Sequence, residues 1–305
     1  MRKLPKYIKY TAFFTGVLLL IIMLSACQSY KSSISYTFKE MAGSNPPETC
    51  KSGFFSLLTY NIAGLPDFIS KSNPSHNTKI ISRLVNRFDI VLLQEDFYYH
   101  DELLKYSEHP YRSEKSNNGP FFTGDGLNRL SRFPFYNYGR EEWKKRYGIL
   151  SNDSDTLAPK GFSFAQHEVY PGILVDIYNL HMDAGHGQGD FNARRSEMKQ
   201  LTSRLKENKS GNAIILAGDW NIKRNRSEDS KTLDMLTKGL GFMDVRVFLN
   251  IPGDRIDKVL FKNGDKVKLV PVTYQVHDRD FMDEEGKPLS DHDPVSVTFE
   301  WNYCP

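Results

Sequence analysis

The chain has 305 residues, 39% hydrophobic and 25% charged, which excludes a biased low-complexity chain and provides for a substantial core in one large or two small domains. Its 40 Lys and Arg against 37 Asp and Glu give a formal net charge of +3, but Arg2, Lys3, Lys6 and Lys9 stand in the first 26 residues; without these four, 36 face 37, a net of −1. A near-neutral body lacks the basic surplus that tight, nonspecific nucleic-acid binding usually shows.

In chain order, the basic start runs into an apolar stretch from Thr11 to Leu24 and then Leu24-Ser25-Ala26-Cys27. A basic segment, a short apolar run and small residues form a secretory signal, and the run is too short to favour a membrane-spanning helix. The stretch resembles the lipobox of a bacterial lipoprotein. The resemblance implies a signal peptide over 1–26, a lipidated Cys27 as the first mature residue, and a domain held to a membrane outside the cytoplasm; an uncleaved N-terminal anchor is the alternative. Residues 27–50, rich in Ser and Lys and ending in SNPPE and Thr49, read as a flexible tether, with the domain over 51–305. Cys50 and Cys304 flank that domain. An exported compartment permits a disulfide between them, closing a loop for which chain entropy predicts a ceiling of roughly 4 to 5 kcal/mol; two free thiols are the alternative.

From Lys51 onward strands and helices alternate. FFSLLTYNI (54–62) predicts a strand, HNTKIISRLVNRF places Ile80, Ile81, Leu84, Val85 and Phe88 at helical spacing, and DIVLLQED returns to strand. ILVDIYNLHMD turns Ile173, Val175, Ile177 and Asn179 to one face, and a polar helix from about Phe191 to Glu207 points Met198, Leu201 and Leu205 inward. AIILAGDWNI (213–222) follows as a strand, then a helix near Lys231 to Lys238 closed by Gly239, and the strands RIDKVLF, KVKLVPVTYQV and PVSVTFEW. Strands outnumber helices and no Pro/Gly-rich linker interrupts 51–302, so one layered domain with helices over packed sheets is expected.

The strands end in polar groups: Asn61 closes LLTYN, Glu95 closes VLLQE, His181 and Asp183 close IYNLHMD, Asp219 and Asn221 close IILAGDWN, and Asp291 and His292 precede the last strand. A rigid sheet with a solvated end is where functional groups gather. Singly, each has an ordinary explanation as a turn former, a cap or a surface carboxylate. Together they predict one rim where carboxylates, amides and imidazoles converge. Oxygen donors without a Cys/His cluster suit a hard cation such as Mg²⁺, with Mn²⁺ or Co²⁺ as substitutes, and Glu95, Asn61 and Asp291 are the expected ligands. His292 titrates near neutrality and is the natural general base. Asp219 and Asn221 are expected to position the attacking water, and His181 to donate to the phosphate or the leaving oxygen.

TYNIAG, LLQE, KGF, NLHMDAG, GDWN, RIDKVLF and SDHDP, in that order, resemble the endonuclease/exonuclease/phosphatase superfamily over about 250 residues. The resemblance implies an α+β fold, a DNase I-like four-layer α/β/β/α sandwich of two mainly antiparallel sheets, and Asp257 as the carboxylate that orients His292. SDTLAPKGFSFAQ further resembles a stretch of neutral, bacterial-type sphingomyelinases. That implies roles for Asp155 and for Lys160 beside the phosphate, with Asp183 at the substrate; Lys160 as a solvated lysine ahead of a strand is the alternative. Phe121 and Phe122 fit either a membrane interface or the core. Three substrates are compatible: a phospholipid headgroup, favoured by the expected anchor; DNA, as an envelope-anchored nuclease; and an inositol phosphate, for which Arg194 and Arg195 are the cations at hand. No segment points to a protein partner.

Overall fold

The computed structural model describes residues 35–37, 44–68, 70, 72–117, 124–147 and 159–305. Cys27 and the expected signal, Phe121, Phe122 and Asp155 lie outside them. Strands β1 (Ser35–Thr37), β6 (Phe135–Glu142), β7 (Gly161–Tyr170), β8 (Ile173–His181), β9 (Ala213–Asp219), β10 (Met243–Asp244) and β11 (Asp257–Lys262) form one sheet, ordered β1-β6-β7-β8-β9-β11-β10. Strands β2 (Lys51–Asn61), β3 (Ile90–Gln94), β4 (Tyr111–Arg112), β5 (Asn128–Ser131), β12 (Val267–Val276) and β13 (Val295–Tyr303) form the other, ordered β12-β13-β2-β3-β5-β4. Among these pairs only β2/β3 and β8/β9 are parallel.

Strand alternation explains the layering. Successive side chains point to opposite faces, so Leu57, Leu92, Ile177, Ile215 and Phe299 fill the space between the sheets, while Leu58, Tyr60, Val91 and Leu93 face helix α1 (Pro74–Leu84) and α2 (His100–Lys105). On the other side Tyr178, Leu180 and Leu216 pack under α3 (Gln188–Glu207) and α4 (Ser227–Thr237). A short helix α5 (Val245–Phe248) completes the set. The result is the expected four-layer α/β/β/α sandwich, in which burial of each large aliphatic side chain contributes about 1.5 to 3 kcal/mol. Met198, Leu201 and Leu205 point inward as the periodicity predicts. Strand β6 escapes the pattern because FYNYGREE is polar, half-buried and bulged between Tyr136 and Gly139.

Cys50 and Cys304 are bridged, and the adjacent Lys51 and Tyr303 pair across β2 and β13. Ser35–Thr37, within the segment read as a tether, pair antiparallel with Tyr138–Arg140 and cover the open edge of β6.

Buried polar groups bridge the sheets, among them Arg129. Arg129, fully buried, donates from Nη1 to His167 Nε2 (3.2 Å) and to the Ile177 carbonyl (3.1 Å), and from Nη2 to Ser163 Oγ (3.1 Å). The guanidinium has only donors, so His167 Nε2 must be the acceptor and the ring neutral. Burial and the Arg129 charge hold the His167 imidazole well below its ordinary value. The unfolded chain therefore takes up a proton at this residue that the folded chain refuses, so the His167 contribution to stability is intact above about pH 6.5 and is lost below it, by up to about 1.4 kcal/mol per pH unit for one proton. Urea melts at pH 7.5, 6.5 and 5.5 are expected to show this slope, and His167→Gln to flatten it; an unaltered slope in the variant refutes the assignment.

Candidate active site

Topology gathers the site at one rim. The parallel pairs β2/β3 and β8/β9 end together, with Asn61 opposite Gln94 and His181 opposite Asp219. The antiparallel neighbours β11 and β13 begin at the same end: Asp257 pairs with Asp219, and Val295 with Thr59. Both sheets thus deliver polar tips to one place. Gly218 makes the approach of β9 to β8 possible: its φ is +148°, and a Cβ there would collide with the Leu180 carbonyl. Trp220, fully buried, anchors the strand end by donating from Nε1 to the Lys258 carbonyl at 3.0 Å.

The side chains form a continuous chain of contacts. Asn61 Nδ2 donates to Glu95 Oε1 (3.0 Å) and Asp219 Oδ2 (3.2 Å). His181 Nε2 lies 3.3 Å from the same Asp219 oxygen and 3.9 Å from Glu95 Oε1. His292 Nε2 approaches Asp219 Oδ2 at 3.7 Å, while its Nδ1 lies 3.1 Å from each oxygen of Asp257. Glu95 adopts φ +56°, a sparsely populated conformation for a non-glycine residue that persists because Gly64 and Phe97 both donate to its carbonyl. The Glu95 side chain is 22% exposed and that of Asp219 2%, so Glu95 is the carboxylate an incoming ion reaches. Oxygen donors of this kind fit a divalent cation.

Burial and neighbouring charges act on Asp219 and His292 in opposite senses. Burial would raise the Asp219 carboxyl, but the hydrogen bond and charge of His181 and the charges of His292 and Lys160 outweigh it and hold Asp219 below the usual carboxylate range. For His292, burial pulls the ring down, yet the Asp257 hydrogen bond and the charges of Asp257, Asp219 and Asp291 push it up to about 10. That corrects the expectation of a histidine titrating near neutrality: three carboxylates surround it.

Asn61, Glu95, His181, Asp219, Asp257 and His292 therefore meet. Asn221, at φ +51°, donates its backbone N–H to Asp219 Oδ1 (3.0 Å) and its Nδ2 to the Met182 carbonyl (3.0 Å), which leaves its side-chain oxygen available. Lys160 is buried, not a solvated lysine, and its charge reaches Asp219. Asp183 is buried with its N–H on Glu197. Asp291 is exposed, and among the described residues no hydrogen bond joins it to Asn61 or Glu95; its neighbour Ser290 instead donates to the Asn61 carbonyl at 2.7 Å. Arg194 is fully buried and engaged within the fold, while Arg195 faces solvent, so they form no phosphate-binding pair. Sequence reasoning missed Trp143, whose Nε1 holds the His181 carbonyl at 2.7 Å, and Glu197. Trp143 carries no local signal, and Glu197 betrays itself only as a charge on the inward stripe of α3.

The model of the Endonuclease/Exonuclease/phosphatase family matches residues 58–292. Over 289 residues the chain is 32% identical to a sphingomyelinase of Mycobacterium tuberculosis, covering 87% of this chain and 56% of that protein. The chain thus spans little more than half the length of such relatives. Among solved structures, Staphylococcus aureus beta toxin with bound magnesium ions superposes with a TM-score of 0.61 at 16% identity, over 83% of this chain and 100% of that one. D. rerio TDP2 complexed with single strand DNA product gives 0.61 at 16% identity, over 81% and 98%. At such identities the likeness is one of fold, and the fold is the two-sheet sandwich described above.

Proposed function

As the chain belongs to the Endonuclease/Exonuclease/phosphatase family, we propose that it is a Mg²⁺-dependent phosphodiesterase that hydrolyses a phospholipid headgroup ester in the manner of a sphingomyelinase C. The observation that carries this reading is the pair of imidazoles, His181 and His292, facing one buried carboxylate, Asp219, beside the more open Glu95–Asn61 pair. The 32% identity to a sphingomyelinase supports the substrate class. A lipid anchor at Cys27, as the LSAC stretch suggests, would hold the domain on a membrane outside the cytoplasm, beside such a substrate. The buried Arg194 removes the cation pair that an inositol-phosphate reading needs.

A divalent cation held by Glu95, with the Asn61 amide turned to present its oxygen in place of the Nδ2 that now faces Glu95, would supply charge neutralisation at the phosphate and polarise the phosphorus. The chain's own groups do the rest. Asp257 holds Nδ1 of His292 and leaves Nε2 facing the site, where the ring can take the proton of the attacking water only once a bound cation offsets the carboxylate charges that raise it. Asp219 and the side-chain oxygen of Asn221, which has no hydrogen-bond partner among the described residues, orient that water. His181 Nε2 donates where charge builds on the phosphate or the leaving oxygen, and the Lys160 charge adds to it.

Two measurements test this. The protein is offered sphingomyelin vesicles, supercoiled plasmid and soluble inositol phosphates, each with Mg²⁺ or with EDTA. Phosphocholine release abolished by EDTA supports the proposal, whereas nicked plasmid alone, or phosphate release from inositol phosphates alone, refutes the substrate class. Separately, the metal-free protein is expected to keep His292 protonated from pH 6 to 8, because its surrounding carboxylates hold the proton up to about 10. Its NMR ring signals should stay flat over that window, and Asp257→Asn should bring the titration down toward the ordinary value. A midpoint near 6.5 in the unaltered protein contradicts the geometry.

A further inference from the structure

Helix α3 buries two ionisable side chains where its stripe calls for apolar residues: Arg194 and Glu197 are 0% and 1% exposed, in line with Met198, Leu201 and Leu205, and burial beside Asp183 pushes the Glu197 carboxyl well above its ordinary value. Arg194 Nη1 donates to the carbonyls of Asp183 (2.9 Å), Ala184 (3.2 Å) and Gly185 (3.1 Å), the loop that follows His181. Glu197 Oε2 accepts the Asp183 N–H at 3.1 Å, holding the same loop by its backbone. Arg194 Nε donates to Asp229 Oδ1 (3.0 Å), and Asp229 Oδ2 accepts from Lys223 N (3.1 Å) and Arg226 Nη1 (3.3 Å) in the segment that follows Asp219 and Asn221. One guanidinium therefore ties together the two segments that carry the paired strand ends His181 and Asp219. Stability alone does not call for it, since well-packed apolar side chains of similar volume often serve a buried site as well as an ion pair does.

We propose that Arg194, with Glu197 and Asp229, is a positioning clamp that sets His181 against Asp219 for phosphoester hydrolysis, acting through those residues without touching substrate. The clamp rests on the phosphodiesterase reading for its purpose but not for its geometry. A displacement of about 1 Å at a reacting group costs on the order of 10²-fold in rate, and the clamp spans the joint where such a displacement would arise.

The test compares Arg194→Met, Arg194→Lys and Leu205→Ala in the full chain. Leu205 shares the buried stripe of α3 but takes no part in the clamp, so Leu205→Ala reports what loosening the helix does by itself. On whichever phosphoester the unaltered protein hydrolyses, Arg194→Met is expected to lower kcat by about 10²-fold with KM within about twofold. Arg194→Lys should recover part of that loss, and Leu205→Ala should keep kcat per folded molecule. If Arg194→Met does not fold, Asp229→Asn, which keeps the shape, decides by the same split. Unchanged kcat in the clamp variants, or an equal fall in Leu205→Ala, overturns the proposal. Amide hydrogen exchange over 182–186 gives a readout free of substrate: faster exchange in the clamp variants but not in Leu205→Ala is expected, and unaltered protection overturns the clamp. A protein that cleaves only DNA yet shows this kinetic and exchange signature overturns the lipid reading alone.

Discussion

His292→Ala is expected to lower kcat/KM by about 10³- to 10⁴-fold, since general-base help of this kind typically contributes 10² to 10⁴ and the variant also leaves Asp257 without its partner. Asp257 is 4% exposed and has His292 Nδ1 at 3.1 Å from both oxygens. Deleting the ring leaves a buried carboxylate unpaired; burial already raises the Asp257 carboxyl against the pull of His292, so it will neutralise by taking a proton. His292→Gln separates the two effects. It offers Asp257 an amide donor and should melt closer to the unaltered protein than His292→Ala does, yet it cannot exchange a proton and should be comparably inactive. Initial rates on the preferred ester, with thermal melts of both variants, provide the check; more than a tenth of activity surviving in His292→Gln would remove the ring from the reaction.

Glu95→Gln should move the Mg²⁺ dependence of activity to the right by about 10- to 100-fold, the order of effect seen when the shell around a metal is altered. The side chain is the more open of the two carboxylates that Asn61 joins, so it is the one positioned to meet an incoming ion. Gln keeps the size and one oxygen but removes the charge that draws a hard cation. A second readout does not involve catalysis. An ion that binds only the folded chain raises stability by RT ln(1 + [L]/Kd), about 2.7 kcal/mol at 100 times Kd. Mg²⁺ should therefore raise the melting temperature of the unaltered protein more than that of Glu95→Gln. Identical Mg²⁺ titrations by both readouts would take Glu95 out of the ligand set.

Much of the site was legible in the one-dimensional chain because strand tips are local features. An apolar run that stops at Asn61, Glu95 or Asp219 announces a buried strand reaching solvent, and the order of such stops carried the family resemblance. The same reasoning went astray where the environment of a side chain comes from far away. His292 looked like a neutral-range base, but Asp257, 35 residues distant, and Asp219 on another strand push its titration up to about 10 in the metal-free protein. Arg194 looked like a surface cation for phosphate, but its partners are backbone carbonyls of a neighbouring loop and Asp229 on the next helix. Asp291, expected as a metal ligand, is exposed, and its charge reaches His292.

The chain by itself determined the long apolar strands, the two long helices over one sheet and which polar groups would stand at the strand ends, because hydrophobic periodicity and turn chemistry act over a few residues. Only the tertiary structure decided which of those ends meet. Asn61 and Asp219, 158 residues apart, share a hydrogen bond because two parallel strand pairs and their antiparallel neighbours bring their tips to one rim. Charge and protonation at that rim follow from Coulomb interactions among groups that sequence distance keeps apart and packing brings within 4 Å.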